Sequence, residues 1–167
     1  MAITIMHHFT SNPNFKLLET PHLHNQNAFT YNYKPGGLWI TNILIPNDWF
    51  QWCLNENYEI YSLKYMYDIT IDIAKIKIID SLEKLQRFTN NYFNDKEDRV
   101  LWDKVAEYYK GIIIVPYIYN FNRISDRWYY GWDVNSGCIW DTSCITNVRL
   151  SYTFTNEELE NKVKWRD

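Results

Sequence analysis

The stretch Arg127-Trp128-Tyr129-Tyr130-Gly131-Trp132-Asp133-Val134-Asn135-Ser136-Gly137-Cys138-Ile139-Trp140-Asp141 decides how the chain is read. Trp128, Trp132, Trp140, Tyr129 and Tyr130 surround a polar centre, Asp133 to Gly137. Aromatic side chains favour a pleated, half-buried surface, so both flanks are predicted as strands. Asn and Gly tolerate positive φ, and Asp and Ser bond their own backbone, so the centre is predicted as a turn. The pattern places a carboxylate and a hydroxyl at a bend walled by rings. It fits a pocket with a few convergent polar groups. It also fits a tight hairpin in an aromatic core.

Working outward toward the C-terminus, strands are predicted around Cys138 to Trp140 and from Val148 to Phe154. Thr155 with Glu158 forms a capping box for a last helix. Toward the N-terminus, Asn120 to Asp126 is a polar crossover, and Ile112-Ile113-Ile114-Val115 is a short apolar run of the kind buried on both faces. Gly111 is predicted to end a helix as its C′ residue. That helix carries Leu101, Val105, Tyr108 and Tyr109 and is capped by Asp98, with a charged loop, Asn94 to Arg99, before it. Ser81 caps a helix with Leu82, Leu85, Phe88 and Tyr92 on one side. Lys75 to Asp80 is a short strand, and Ser62 to Ile71 alternates as a half-buried one. Asn47 is predicted to cap a helix carrying Trp49, Phe50, Trp52 and Cys53. Leu38 to Thr41 is a strand after the Lys34-Pro35-Gly36-Gly37 turn. Thr20 to Lys34 is a polar loop, in which His22 and His24 read as surface residues. Asn12-Pro13 is read as a helix start, with Phe15, Leu17 and Leu18 facing inward. Ala2 to Phe9 is a first strand that delivers His8 near its exit. The expectation is one domain over residues 1–167, α+β, with mostly antiparallel sheets around a cleft and several helices.

Composition narrows the function. The chain has 167 residues, enough for one domain with a sizeable core. It carries 8 Trp, 14 Tyr and 8 Phe, side chains that fill cores and also stack on nucleotide rings. A net charge of −3 argues against a general polyanion binder, which needs a basic face. Arg123, Arg127 and Arg149 form at most a local basic rim. Cys53, Cys138 and Cys144 lack zinc spacing, and no metal site is expected. No apolar run is long enough to span a membrane, and no signal peptide is visible, so a cytoplasmic location is expected. Cys138 has no local His to activate it, Gly36-Gly37 lacks a phosphate-loop pattern, and no spacing argues for a glycosidase pair of Asp133 and Asp141.

Three polar sites recur at strand ends: His8-Phe9-Thr10, Gly36 to Thr41, and Asp133 to Ser136. Their order resembles the ADP-ribosyltransferase fold of the diphtheria toxin and poly-ADP-ribose polymerase branch. That family opens with a strand ending in His-x-Thr or His-x-Ser, to which His8-Phe9-Thr10 is similar. Its next motif is a Gly-x-aromatic-hydrophobic-small strand followed by a helix with another aromatic. Gly37-Leu38-Trp39-Ile40-Thr41, with Trp49 and Trp52 beyond, resembles it, with Trp39 where Tyr is usual. Tyr108 to Ile112 looks like the family's Gly-Tyr-Asp-Gly-Ile turn, and Ser136 to Ile145 like its closing strand. The family's Glu is absent from that strand. Ser136 stands there, and Asp133 is the nearest acid. The likeness covers roughly residues 5 to 150.

The resemblance implies NAD as substrate and ADP-ribose transfer to a protein or nucleic-acid acceptor. His8 would donate to a ribose hydroxyl, helped by Thr10. Leu38 and Trp39, with Trp49 or Trp52, would line the nicotinamide site. Asp133, with Ser136, would stabilise the oxocarbenium-like state and activate the acceptor. The alternative is a non-catalytic nucleotide- or protein-binding module on the same fold.

Overall fold

The computed structural model describes residues 2–17 and 33–163. Leu18, most of the loop expected from Thr20, and His22 and His24 lie outside them. Among the described residues, nine strands and four helices follow in the order β1 (Ile3–Thr10), β2 (Leu38–Ile40), α1 (Trp49–Glu56), β3 (Tyr65–Asp72), β4 (Ile76–Ile79), α2 (Leu82–Tyr92), β5 (Phe93–Asn94), β6 (Arg99–Val100), α3 (Trp102–Ala106), β7 (Gly111–Ile114), β8 (Ser136–Ile139), β9 (Ile145–Thr153) and α4 (Asn156–Lys162). The architecture is α+β.

One sheet has the order β1-β3-β9 and is antiparallel throughout. The other has the order β2-β8-β7-β4, antiparallel except for the parallel pair β4–β7. Strands β5 and β6 form a separate hairpin. The two sheets pack face to face through Met6, Ile69 and Ile71 on one side and Ile40, Ile76, Ile113 and Ile139 on the other. The opposite face of the second sheet, with Ile112, Ile114 and Cys138, is covered by α2, α3 and the rings of Trp128, Tyr129, Trp132 and Trp140. Helices α1 and α4 cover Phe9 and Met66 of the first sheet. The all-buried β7 is explained by this layering: an apolar run with no polar face suits a strand with protein on both sides.

Several local expectations are corrected, each for a packing or hydrogen-bonding reason. Arg127–Tyr129 is a 3₁₀ turn, not a strand, and β8 begins only at Ser136. Trp128 and Tyr129 are adjacent and both fully buried in one core, whereas a strand would send them to opposite faces. The Trp128 indole donates to Thr89 Oγ1 at 2.8 Å, and the Ile118 amide donates to the Tyr129 hydroxyl at 3.0 Å. Asn12-Pro13 opens a turn, because Asn12 Oδ1 accepts from the Asn14 amide at 2.9 Å and competes with a helix. Asp48 caps α1, accepting from Gln51 N at 3.0 Å, while Asn47 before it takes a left-handed φ of 65°. Ile60–Leu63 forms a 3₁₀ turn ahead of β3. The expected Asn94 to Arg99 loop is the turn that joins β5 to β6, and Asp98 sits in it at φ 50° rather than capping α3. Gly111 is the first residue of β7. A Cβ there would come within 2.8 Å of the Cys138 carbonyl and 2.6 Å of Ile139 Cδ1.

Candidate active site

Besides their shared core, the two sheets are joined by backbone hydrogen bonds at one point. His7 N donates to Thr41 O at 2.7 Å, and Thr41 N donates to His7 O at 2.9 Å. This is a single bridged pair at the exit of β2. A cleft of about 270 Å³ lies beside it. His8, Trp39, Trp49, Asp133 and Ser136 all line it, with Lys34, Thr41 and Trp132.

Thr41 and Asn135 hold the parts in register. Thr41 Oγ1 donates to the Asn135 carbonyl at 2.7 Å and accepts from the Trp49 amide at 3.1 Å. One hydroxyl therefore ties β2 to the entry of β8 and to the first turn of α1. Asn135 is fully buried. Its Nδ2 faces the carbonyls of Asn42, Ile45 and Pro46 at 3.2, 3.0 and 3.2 Å, and its Oδ1 accepts from Asn42 N at 2.9 Å. The Asn42–Pro46 loop folds around that amide, which sets where α1 begins.

His8 presents a defined face to the cleft. Its Nδ1 lies 2.8 Å from the Trp39 carbonyl, which only accepts, so Nδ1 carries a proton. Burial lowers the imidazole pKa, against a partial rise from that same bond. The neutral ring therefore leaves Nε2 as an acceptor. With Nδ1 on the Trp39 carbonyl, the ring offers the cleft an acceptor rather than the donor expected from sequence. Phe15 packs on the ring at 4.7 Å between centroids.

Rings form the walls. Trp39 meets Trp132 edge to face at 5.1 Å, and Trp49 stacks on Trp52 at 5.1 Å and 13°. Lys34 is exposed as a residue, but its Nζ lies 5.8 Å from the Trp39 ring centroid. Desolvation there lowers the Lys34 pKa, and Asp133 opposes the shift. Asp133 is an exposed residue of the cleft lining, and its carbonyl accepts from Asn47 Nδ2 at 3.2 Å. Ser136 is buried, and its Oγ donates to the Val134 carbonyl at 3.2 Å.

Three expected residues do not reach the lining. Leu38 lies on the other face of β2 from Trp39 and packs between the sheets. Trp52 sits behind Trp49 in the cluster beneath α1. Thr10 Oγ1 accepts from the Asn12 amide at 3.1 Å. The basic rim is also smaller than expected. Arg127 bonds Asp98 at 2.7 Å and lies 3.4 Å from Asp95, and Arg149 bonds Asp68 at 2.6 Å. Lys34 lies outside the three polar sites read from the sequence, and Thr41 and Asn135 fall within them without a role of their own. The only hints were their places in a turn, at a strand exit and in the polar centre.

Among the described residues no group of three His, Cys, Asp or Glu side chains is placed to hold a metal ion, and no helix is long and apolar enough to cross a membrane. No protein-family model, curated protein or solved structure matches the chain.

Proposed function

We propose that the chain is an ADP-ribosyltransferase-like protein that takes NAD into this cleft and transfers ADP-ribose to a macromolecular acceptor. The observation that carries this is the convergence of His8, Trp39, Trp49, Asp133 and Ser136 on one cleft from distant parts of the chain. Its volume of about 270 Å³ suits the nicotinamide–ribose end of the dinucleotide, with the remainder outside. His8 Nε2 accepts from a ribose hydroxyl and fixes the sugar. The indoles of Trp39 and Trp49 flank the flat nicotinamide. As the C–N glycosidic bond breaks, its electron pair leaves with nicotinamide and positive charge grows on the ribose. The Asp133 carboxylate stabilises that charge, and as the acceptor's nucleophile bonds the ribose carbon that nicotinamide leaves, the carboxylate takes the acceptor's proton.

A second reading is favoured by one observation. Ser136, at the position of the family's Glu, is buried and spends its hydroxyl on Val134. A domain built this way binds a nucleotide without turning it over. Nicotinamide release, followed by chromatography with and without acceptor-rich lysate, separates the two. The enzyme releases nicotinamide, and Asp133→Asn lowers kcat about 100-fold or more with NAD affinity little changed. Release unaffected by Asp133→Asn removes the acid's role. No release with any acceptor leaves the binder.

A further inference from the structure

Beside the cleft mouth lies an exposed aromatic shelf that the proposed NAD site does not use. Tyr119 and Tyr130 are 69% and 56% exposed. Tyr117 meets Tyr119 at 4.9 Å and stacks on buried Tyr129 at 5.5 Å. Phe121 packs on Tyr129 at 5.0 Å and approaches Tyr130 at 6.4 Å. The shelf is thus anchored to the core through Tyr129. The Arg123 guanidinium lies 5.1 Å from the Tyr130 ring centroid. Exposed Tyr130 is followed directly by Gly131, Trp132 and Asp133 of the cleft lining, which puts the shelf at the cleft's edge.

The shelf carries cations although the net charge of the chain is −3. Neither Arg123 nor Lys34 has a carboxylate within ion-pair distance among the described residues, while Arg127 and Arg149 are both paired. Lys34 runs alongside Gly131, next to Tyr130. Arg123 lies over the Tyr130 ring and Lys34 beside neighbouring Gly131, so two cations without an ion-pair partner among the described residues sit next to an exposed ring. Exposed Asn120, Asn122 and Ser125 interrupt the apolar surface, which disfavours the continuous patch of a protein interface. Rings with a few cations are the chemistry of base stacking on a single strand. A duplex hides its ring faces, and a net charge of −3 offers no extended basic face for its backbone.

We propose that this shelf stacks unpaired bases of a single-stranded nucleic acid, with Arg123 and Lys34 on the flanking phosphates. Where the NAD reading holds, on which this extension rests, the strand is the acceptor presented to Asp133. The strand binding itself requires no NAD.

The test is fluorescence anisotropy with a short labelled oligothymidylate and a duplex of equal length, without NAD. The single strand binds and the duplex binds much more weakly. Tyr119→Ala with Tyr130→Ala weakens binding about tenfold or more. The salt slope is shallow, about −0.7 per phosphate and so about −1.4 for two cations. Both tyrosines are exposed, and circular dichroism checks that the variant keeps its fold. No binding of the single strand at low salt, equal binding of the duplex, or an unchanged affinity in the folded double variant overturns the proposal. Nicotinamide release measured separately keeps the two claims apart. Release without strand binding ends the shelf proposal alone, and strand binding without release ends the enzyme reading alone.

Discussion

His7 and His8 are neighbours with opposite assignments. His8 donates through Nδ1 to a carbonyl. His7 Nδ1 faces the Ile43 amide at 3.4 Å as an acceptor, and its Nε2 points toward Asp68 at 3.7 Å. Burial lowers both pKa values below the usual 6.5, and for His7 the nearby Asp68 and Asp48 offset part of the shift. Just below pH 6.5 the unfolded chain therefore binds more protons than the folded one. Stability is full above that pH and is lost as pH falls toward the folded-state values. Urea denaturation at about pH 7.5 and about pH 5.5 should show a larger loss for the wild type than for the His7→Gln, His8→Gln variant, and an equal loss would remove both histidines from the account. Asn135 makes the second prediction at this scale. Asn135→Ala strands Asn42 N and several loop carbonyls inside the protein, and should cost about 1–3 kcal/mol by denaturant titration. His8 was legible because His8-Phe9-Thr10 stands at the exit of an apolar strand. Asn135 was not, since an Asn in a polar turn looks the same whether it faces water or holds a loop.

At the scale of elements, local chemistry was read best where one short segment decides. Ser81 caps α2, and Thr155 with Glu158 forms the capping box of α4. Thr155→Ala should therefore cost about 1 kcal/mol in thermal or denaturant unfolding, and a change near zero would mean that α4 is held by Leu159 packing alone. The misread segments are those where tertiary contacts overrode a local signal. Gly111 resembles a helix stop, but its missing side chain serves close strand packing. Gly111→Ala forces its Cβ against Ile139 and Cys138 and should destabilise by about 1–3 kcal/mol, where a C′ glycine would also demand a left-handed φ that β7 does not have. Likewise, the aromatic run at Arg127–Tyr129 coils because both of its central rings belong to one core.

For the molecule as a whole, the cleft lies where two sheets that share a core are also joined by one backbone bridge, His7 with Thr41. Its walls come from β1, β2, α1 and the entry to β8. No sequence pattern announces a contact such as His7 with Thr41 or Thr41 with Asn135. The α+β class was readable from strand and helix periodicity, whereas the convergence of the site depends on these long-range pairs. The central claim is that this cleft is an NAD site, whether or not the bound NAD turns over. Calorimetric titration of NAD into the wild type and into His8→Ala tests it most directly. The account predicts saturable binding by the wild type and an affinity about tenfold lower in a folded His8→Ala variant, the loss expected for one buried ribose hydrogen bond. No NAD binding by the wild type, or equal affinity in the two proteins, would contradict it.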